Sequence, residues 1–150
     1  MLETNLRHSK AFSLLELLLV LAVVSILFAF ALPSYQDFRI RNRLDEATQQ
    51  FARDIEFQKT TSKRLNSFQE LKLDRQNPQH YYLNNTLKAL PAGIQAVPVG
   101  ASISIPFYPP HGTTNAPERS FRIEWANNPS KYYRFVRIIG VTGKVIIKYE

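Results

Sequence analysis

Residues 12–32 read FSLLELLLVLAVVSILFAFAL, and this stretch decides the fold. At ~1.5 Å of rise per residue, one helix of that length crosses a hydrocarbon layer of about 30 Å. The run holds a single charge, Glu16, close to its beginning. A carboxylate costs ~2.5–3.5 kcal/mol at the centre of a span and less near the interface, so an acid kept there implies a partner.

The residues just upstream identify that partner. Lys10-Ala11-Phe12-Ser13-Leu14-Leu15-Glu16 sets a basic residue, a small residue and an aromatic ahead of an acid four residues further on. This arrangement resembles the class III signal of type IV pilins and type II secretion pseudopilins. The resemblance implies that a membrane prepilin peptidase/methyltransferase cuts between Ala11 and Phe12 and N-methylates the new terminus at Phe12. Ala11 stands where that family prefers glycine. Glu16 then corresponds to the family's intramembrane acid, the residue of subunit assembly. Cleavage would create an ammonium group at Phe12, and a carboxylate one helical turn along can meet it in the same or a neighbouring subunit. Pairing offsets the desolvation of two charges that would each be uncompensated alone.

Two other readings attach to the same segment. One is an ordinary signal anchor with an incidental acid. The other is a soluble secreted protein cleaved after Ala31, since Ala29-Phe30-Ala31 resembles a signal-peptidase site. Against the second stand the acid in the apolar region and the length of the run.

Composition narrows the rest. A chain of 150 residues, less a leader and a span, has material for one further core. Cysteine is absent, so there are no disulfides and no thiolate metal sites, and the disulfide-bounded loop of many major pilins is excluded. The formal charge of +7 suits contact with nucleic acid, anionic lipid or polysaccharide without saying anything about fold. Arg7 and Lys10 favour a cytoplasmic leader, although Arg39, Arg41 and Arg43 flank the other end of the span.

Pro33 follows the apolar run and removes an amide donor there, which predicts a kink rather than a stop. Helical spacing resumes beyond it, with Leu44, Ala47, Phe51 and Ile55 forming an apolar stripe between Asp45, Glu46, Gln49, Gln50 and Arg53. Asn66-Ser67 marks the end of that pattern. Alternation then takes over: Leu71 and Leu73, then Ile103, Ile105 and Phe107, then Phe121, Ile123 and Trp125 read as strands. Tyr133–Ile139 and Lys144–Tyr149 flank Gly140-Val141-Thr142-Gly143, a four-residue hairpin loop. The proline-rich segment Tyr108–Pro117 reads as an exposed loop, and Asn84-Asn85-Thr86 as a turn.

Within the pilin superfamily the second half resembles the GspH/FimT group of minor pilins and pseudopilins. The matching segments are FARDIEFQKTTSKR, IPFYPPHG followed by FRIEW, and the closing RIIGVTGKVII. The resemblance implies an α+β, pilin-like fold, with a long N-terminal helix packed on a small antiparallel β-sandwich. It divides the chain into a cytoplasmic leader (1–11), a membrane-spanning assembly helix (12–32), an amphipathic half-helix (33–66) and a β-rich periplasmic domain (67–150). It also implies a single-pass inner-membrane subunit whose partners are other pilins, membrane lipid and the processing peptidase, in either a type IV pilus or a type II secretion pseudopilus.

Nothing in the sequence points to catalysis, a metal or a cofactor. Histidines 8, 80 and 111 are dispersed, and no nucleophile or phosphate-binding motif occurs. No small-molecule substrate is expected. Lys144 and Lys148 fall on one face of the last strand, with Val145, Ile147 and Tyr149 on the other. Lys131 and Arg134 extend this group to a candidate nucleic-acid patch, a role that basic residues near the C-terminus serve in some FimT-type minor pilins. The plainer reading is a solvated basic face.

Overall fold

The structure, a computed structural model, describes residues 13–115 and 118–149. Residues up to Phe38 form one compact unit, and Arg39–Glu150 form a second.

One helix, α1 (Leu14–Leu65), contributes to both units. It begins at Ser13, whose hydroxyl accepts the Leu15 amide at 3.3 Å while its carbonyl accepts the amides of Glu16 and Leu17, as an N-cap residue does. The helix continues through Pro33. It stops at Asn66, which takes the left-handed conformation (φ 47°), and the Ser67 amide returns to the Ser62 carbonyl at 3.3 Å. That bond closes a Schellman turn, and Lys63 and Arg64 set positive charge against the last carbonyls.

In the first unit the helix is apolar and uncovered; Leu14 is 76% exposed and Phe30 78%. By length and composition it is able to cross a membrane. In the second unit Leu44, Ala47, Phe51 and Ile55 are fully buried, so the stripe read from the sequence is the helix's core-facing side.

The described residues of the second unit also form eight strands: β1 (Gln69–Leu73), β2 (His80–Leu83), β3 (Thr86–Ala89), β4 (Ile94–Val99), β5 (Ser104–Phe107), β6 (Glu118–Trp125), β7 (Tyr133–Ile139) and β8 (Lys144–Tyr149). They form two antiparallel four-stranded sheets, ordered β3-β2-β1-β5 and β4-β6-β7-β8. Phe51 joins both to the helix, its ring meeting Tyr81 at 5.3 Å and Phe121 at 5.7 Å in edge-on geometry. Leu71, Ile105, Ile123 and Val136 complete the same core.

Three strands are not legible as alternation. β2 and β3 have four residues each, with no third large apolar residue in register to extend a period as Ile103 does for β5, and are joined at Asn84-Asn85, with Asn84 left-handed at φ 53°. β4 contains Pro98, which argues against a central strand but is accommodated because β4 lies at a sheet edge.

The three family-like segments converge on one point, Lys59. A Cβ on Gly112 would lie 2.7 Å from the Lys59 carbonyl oxygen, and the Lys59 ammonium donates to the Gly143 carbonyl at 3.2 Å. Both glycines have left-handed φ (62° and 61°), and a Cβ on Gly143 would strike the Phe107 ring at 2.9 Å. Glycine is therefore required at both turns by conformation and by space. The segment after Tyr108 is accordingly less exposed than its proline content predicts. Tyr108 and Thr113 exchange backbone hydrogen bonds at 2.8 and 3.1 Å, and Thr114 is buried with its amide on the Val141 carbonyl.

Candidate functional site

Ala11 and Phe12, the proposed scissile pair, lie outside the described residues. Glu16 is the third residue of α1 and is exposed. Its neighbours one turn along, Leu19 and Val20, are apolar, and among the described residues it has no ion-pair partner. Ser13 and Glu16 also hold the spacing of a capping box, in which the acid at the third helical position reaches back to the cap residue. Glu16 is thus an exposed carboxylate at the start of the helix, suited to shaping the first turn and to meeting a cation from outside the described residues.

The second half of α1 carries a polar cluster that the apolar periodicity does not reveal. The Tyr81 hydroxyl donates to Asp54 Oδ2 at 2.6 Å and accepts from Gln50 Nε2 at 3.2 Å. Lys88 Nζ completes the set, 3.0 and 3.2 Å from the two Asp54 oxygens. Burial first, and then the bond to Asp54 and its charge, raise the Tyr81 pKa above the ordinary tyrosine value, with Gln50 opposing. Asp54 lies three residues after Phe51 and one before Ile55, on the buried side of the helix. A signal existed in the sequence: an acid on the apolar stripe must be given partners. These contacts tie α1 to β2 and β3 and bear on stability.

The four candidate basic residues do not form one patch. Side chains opposite one another across an antiparallel pair share a face, and Arg134 pairs with Ile123 on β6 and Tyr149 on β8. Arg134 therefore lies on the inner face. There its Nε meets Asp45 of α1 at 2.9 Å and its guanidinium sits 5.2 Å from the Tyr149 ring. Lys144 and Lys148 pair with Ile139 and Phe135 and stand on the opposite, outer face. Lys131 precedes β7 in a turn, with its ammonium 4.7 Å from the Tyr132 ring. Arg122 and Arg137 share the outer face with Lys144 and Lys148, while Glu124, ion-paired with Arg122 and bonded to Gln95 at 2.7 Å, offsets part of that charge.

His80 opens β2 half-buried, and His111 is exposed in the turn before Gly112. Among the described residues no group of three His, Asp or Glu side chains is placed to hold a metal.

Comparison with known proteins bears on both halves of the chain. The prokaryotic N-terminal methylation motif family matches residues 6–32. The fimbrial protein EcpC of Eikenella corrodens is 50% identical over 38 residues, 25% of this chain and 25% of its own length. The type IV major pilin protein PilE1 of Neisseria gonorrhoeae is 53% identical over 38 residues, 25% of this chain and 23% of the pilin. The chain thus matches about a quarter of the length of these curated relatives. The crystal structure of the type IV minor pilin FimU of Pseudomonas aeruginosa superposes with a TM-score of 0.58, covering 75% of this chain and 92% of FimU at 15% identity. The chain therefore carries the N-terminal methylation motif of type IV pilins and has a pilin-like fold, a long apolar N-terminal helix with its second half packed on antiparallel sheets. By motif and fold it is a type IV pilin-like protein similar to the minor pilin FimU.

Proposed function

We propose that this chain is a minor filament subunit, cut by a prepilin peptidase between Ala11 and Phe12, N-methylated at Phe12, and assembled through Glu16 with other pilins. In this reading the 12–32 segment holds the subunit in the inner membrane, with residues beyond it on the periplasmic side, until it enters the filament. The observation that carries the reading is that residues 6–32 match the methylation motif and that the helix over the described part of that segment is apolar and exposed. A helix whose apolar side chains have no cover among the described residues needs lipid or neighbouring helices, and a filament supplies the second after the first. The subunit's role is structural; it is acted on by the processing enzyme and catalyses nothing. Of the two machines, a type IV pilus is better supported than a type II secretion pseudopilus, since the solved structure it resembles is that of a type IV minor pilin.

The test is the mature N-terminus of the chain expressed beside a prepilin peptidase and methyltransferase, read by mass spectrometry. A start at Phe12 carrying one methyl group supports the reading. A start at Leu32 would instead assign the chain to secretion, and an uncut Met1 would make it a plain membrane anchor.

A further inference from the structure

Each sheet has two edges, and three of the four edge strands are blunted. β3 has only four residues, β4 carries Pro98 and β5 carries Pro106. Short strands and prolines are how sheets discourage further pairing. The fourth edge, β8, is different: six residues, Lys-Val-Ile-Ile-Lys-Tyr, without proline and rich in strand-forming side chains. Beside it runs a groove of about 450 Å³ between the strand and α1. Val145 and Ile147 form one wall, and Gln49, Ala52, Arg53 and Glu56 the other.

We propose that β8 and this groove are a docking site for an extended acidic segment of another protein, which adds to the sheet as a fifth strand. Backbone pairing along β8 would supply affinity. Alternation would turn every second side chain of the added strand into the groove, where Val145, Ile147 and Ala52 favour a small apolar residue. The remaining side chains would stand on the outer face beside exposed Lys144 and Lys148, where opposite charge is favourable. On the helical rim Arg53 is accompanied by Glu56, which pairs with Lys59 at 3.4 Å, so the charge preference rests on Lys144 and Lys148. A partner alternating acidic and apolar residues meets both demands.

The same charges select against a second copy of this chain. Two β8 strands paired antiparallel in full overlap, centred on Ile146, would set Lys144 of each copy against Lys148 of the other. That places two like-charge pairs on one face, which is destabilising. The inference does not rest on filament assembly, because it concerns the second compact unit alone and is tested without a filament.

The experiment uses the full chain in detergent micelles and a fluorescent hexapeptide alternating Glu and Val. Binding is read by anisotropy, with hydrogen exchange reporting on β8. Binding with added protection at Val145–Lys148 is expected, weakened roughly tenfold or more by Lys144→Glu with Lys148→Glu, the peptide with Lys in place of Glu being the reverse control. Two further peptides carry N-methyl groups at odd or at even positions. Strand addition uses amides on one side only, so one pattern should abolish binding and the other should not. Equal tolerance of both patterns, no binding of the unmethylated peptide, or displacement by a short DNA duplex as efficiently as by unlabelled peptide would each overturn the proposal. Since the chain has no cysteine, Ile146→Cys provides the last control. Disulfide-trapped dimers of that variant in the absence of peptide would assign the edge to a second copy instead.

Discussion

Replacing Asp54 by Ala tests whether the Asp54–Tyr81–Lys88 cluster holds the helix to the first sheet. The Asp54 side chain is 13% exposed and that of Lys88 41%, so solvent screens the ion pair and it contributes only ~0–1 kcal/mol. The Tyr81 hydroxyl contributes more, because it donates to a charged acceptor at 2.6 Å from a residue with no exposed surface. A hydrogen bond to a charged group stabilises by about 1.5–3 kcal/mol, and removing the acceptor leaves a buried hydroxyl proton unsatisfied. Asp54→Ala should therefore destabilise by about 2–4 kcal/mol, and Asp54→Asn, which keeps an acceptor, by about half of that. Tyr81→Phe removes the group that is left stranded, so the double variant should lose less than the sum of its parts, by ~1–2 kcal/mol. Urea denaturation of a chain beginning at Arg39, followed by the fluorescence of Trp125, gives these values. An Asp54→Ala variant within about 0.5 kcal/mol of the parent, or strict additivity in the cycle, would refute the argument. The cluster also fixes a pH dependence. The folded-state pKa of Tyr81 is raised, so above the ordinary value of 10.0 the unfolded chain loses a proton that the folded chain keeps. Stability should then fall as pH rises past about 10, with a limiting contribution of ~1.4 kcal/mol per pH unit that Tyr81→Phe lacks.

Three further outcomes are expected. Glu16→Gln preserves the capping-box spacing but removes the charge, so it should reduce incorporation into filaments as severely as Glu16→Ala; normal assembly of the Gln variant alone would make Glu16 a helix cap and not a counter-ion. A chain beginning at Arg39 should be soluble and unfold cooperatively, whereas one beginning after Ile55 should aggregate. The shorter chain lacks Leu44, Phe51 and Ile55, each contributing ~1.5–3 kcal/mol against a typical total of ~5–15, and a cooperative transition from it would contradict the core assignment. Gly143→Ala combines a left-handed φ with a Cβ 2.9 Å from the Phe107 ring, and should lower stability by about 2–4 kcal/mol in the same urea assay; a loss under about 1 kcal/mol would show that the turn relaxes at little cost.

The apolar half of the helix was legible because 12–32 is one long apolar run with a single charge, and its described part is a single helix with its apolar side chains exposed. The amphipathic half was legible for a related reason: Leu44, Ala47, Phe51 and Ile55 fall at helical spacing, and all four are fully buried. Strands long enough to show a period, β6, β7 and β8, were equally clear. What failed were β2, β3 and β4. β2 and β3 offer no third large apolar residue in register, as Ile103 does for β5, and Pro98 reads as a breaker unless it is known that β4 lies at an edge. Edge position is a property of strand order, which local sequence does not encode.

The basic residues illustrate the same limit at the level of single side chains. Along β7, one face has Arg134, Val136 and Ile138, and the other Tyr133, Phe135, Arg137 and Ile139. Each face holds one arginine among apolar or aromatic residues, so alternation alone does not say which one looks inward. The choice is made by Asp45, 89 residues away in sequence, which draws Arg134 under the helix. Lys144 and Lys148 escape the ambiguity because Val145 and Ile147 on the other face are packed against the core. The division of the patch thus follows from an ion pair between a helix and a strand. For the same reason a second basic residue at Ile146 would join the outer face that carries Lys144 and Lys148, whereas a charge in place of the fully buried Val136 would have to be accommodated in the core.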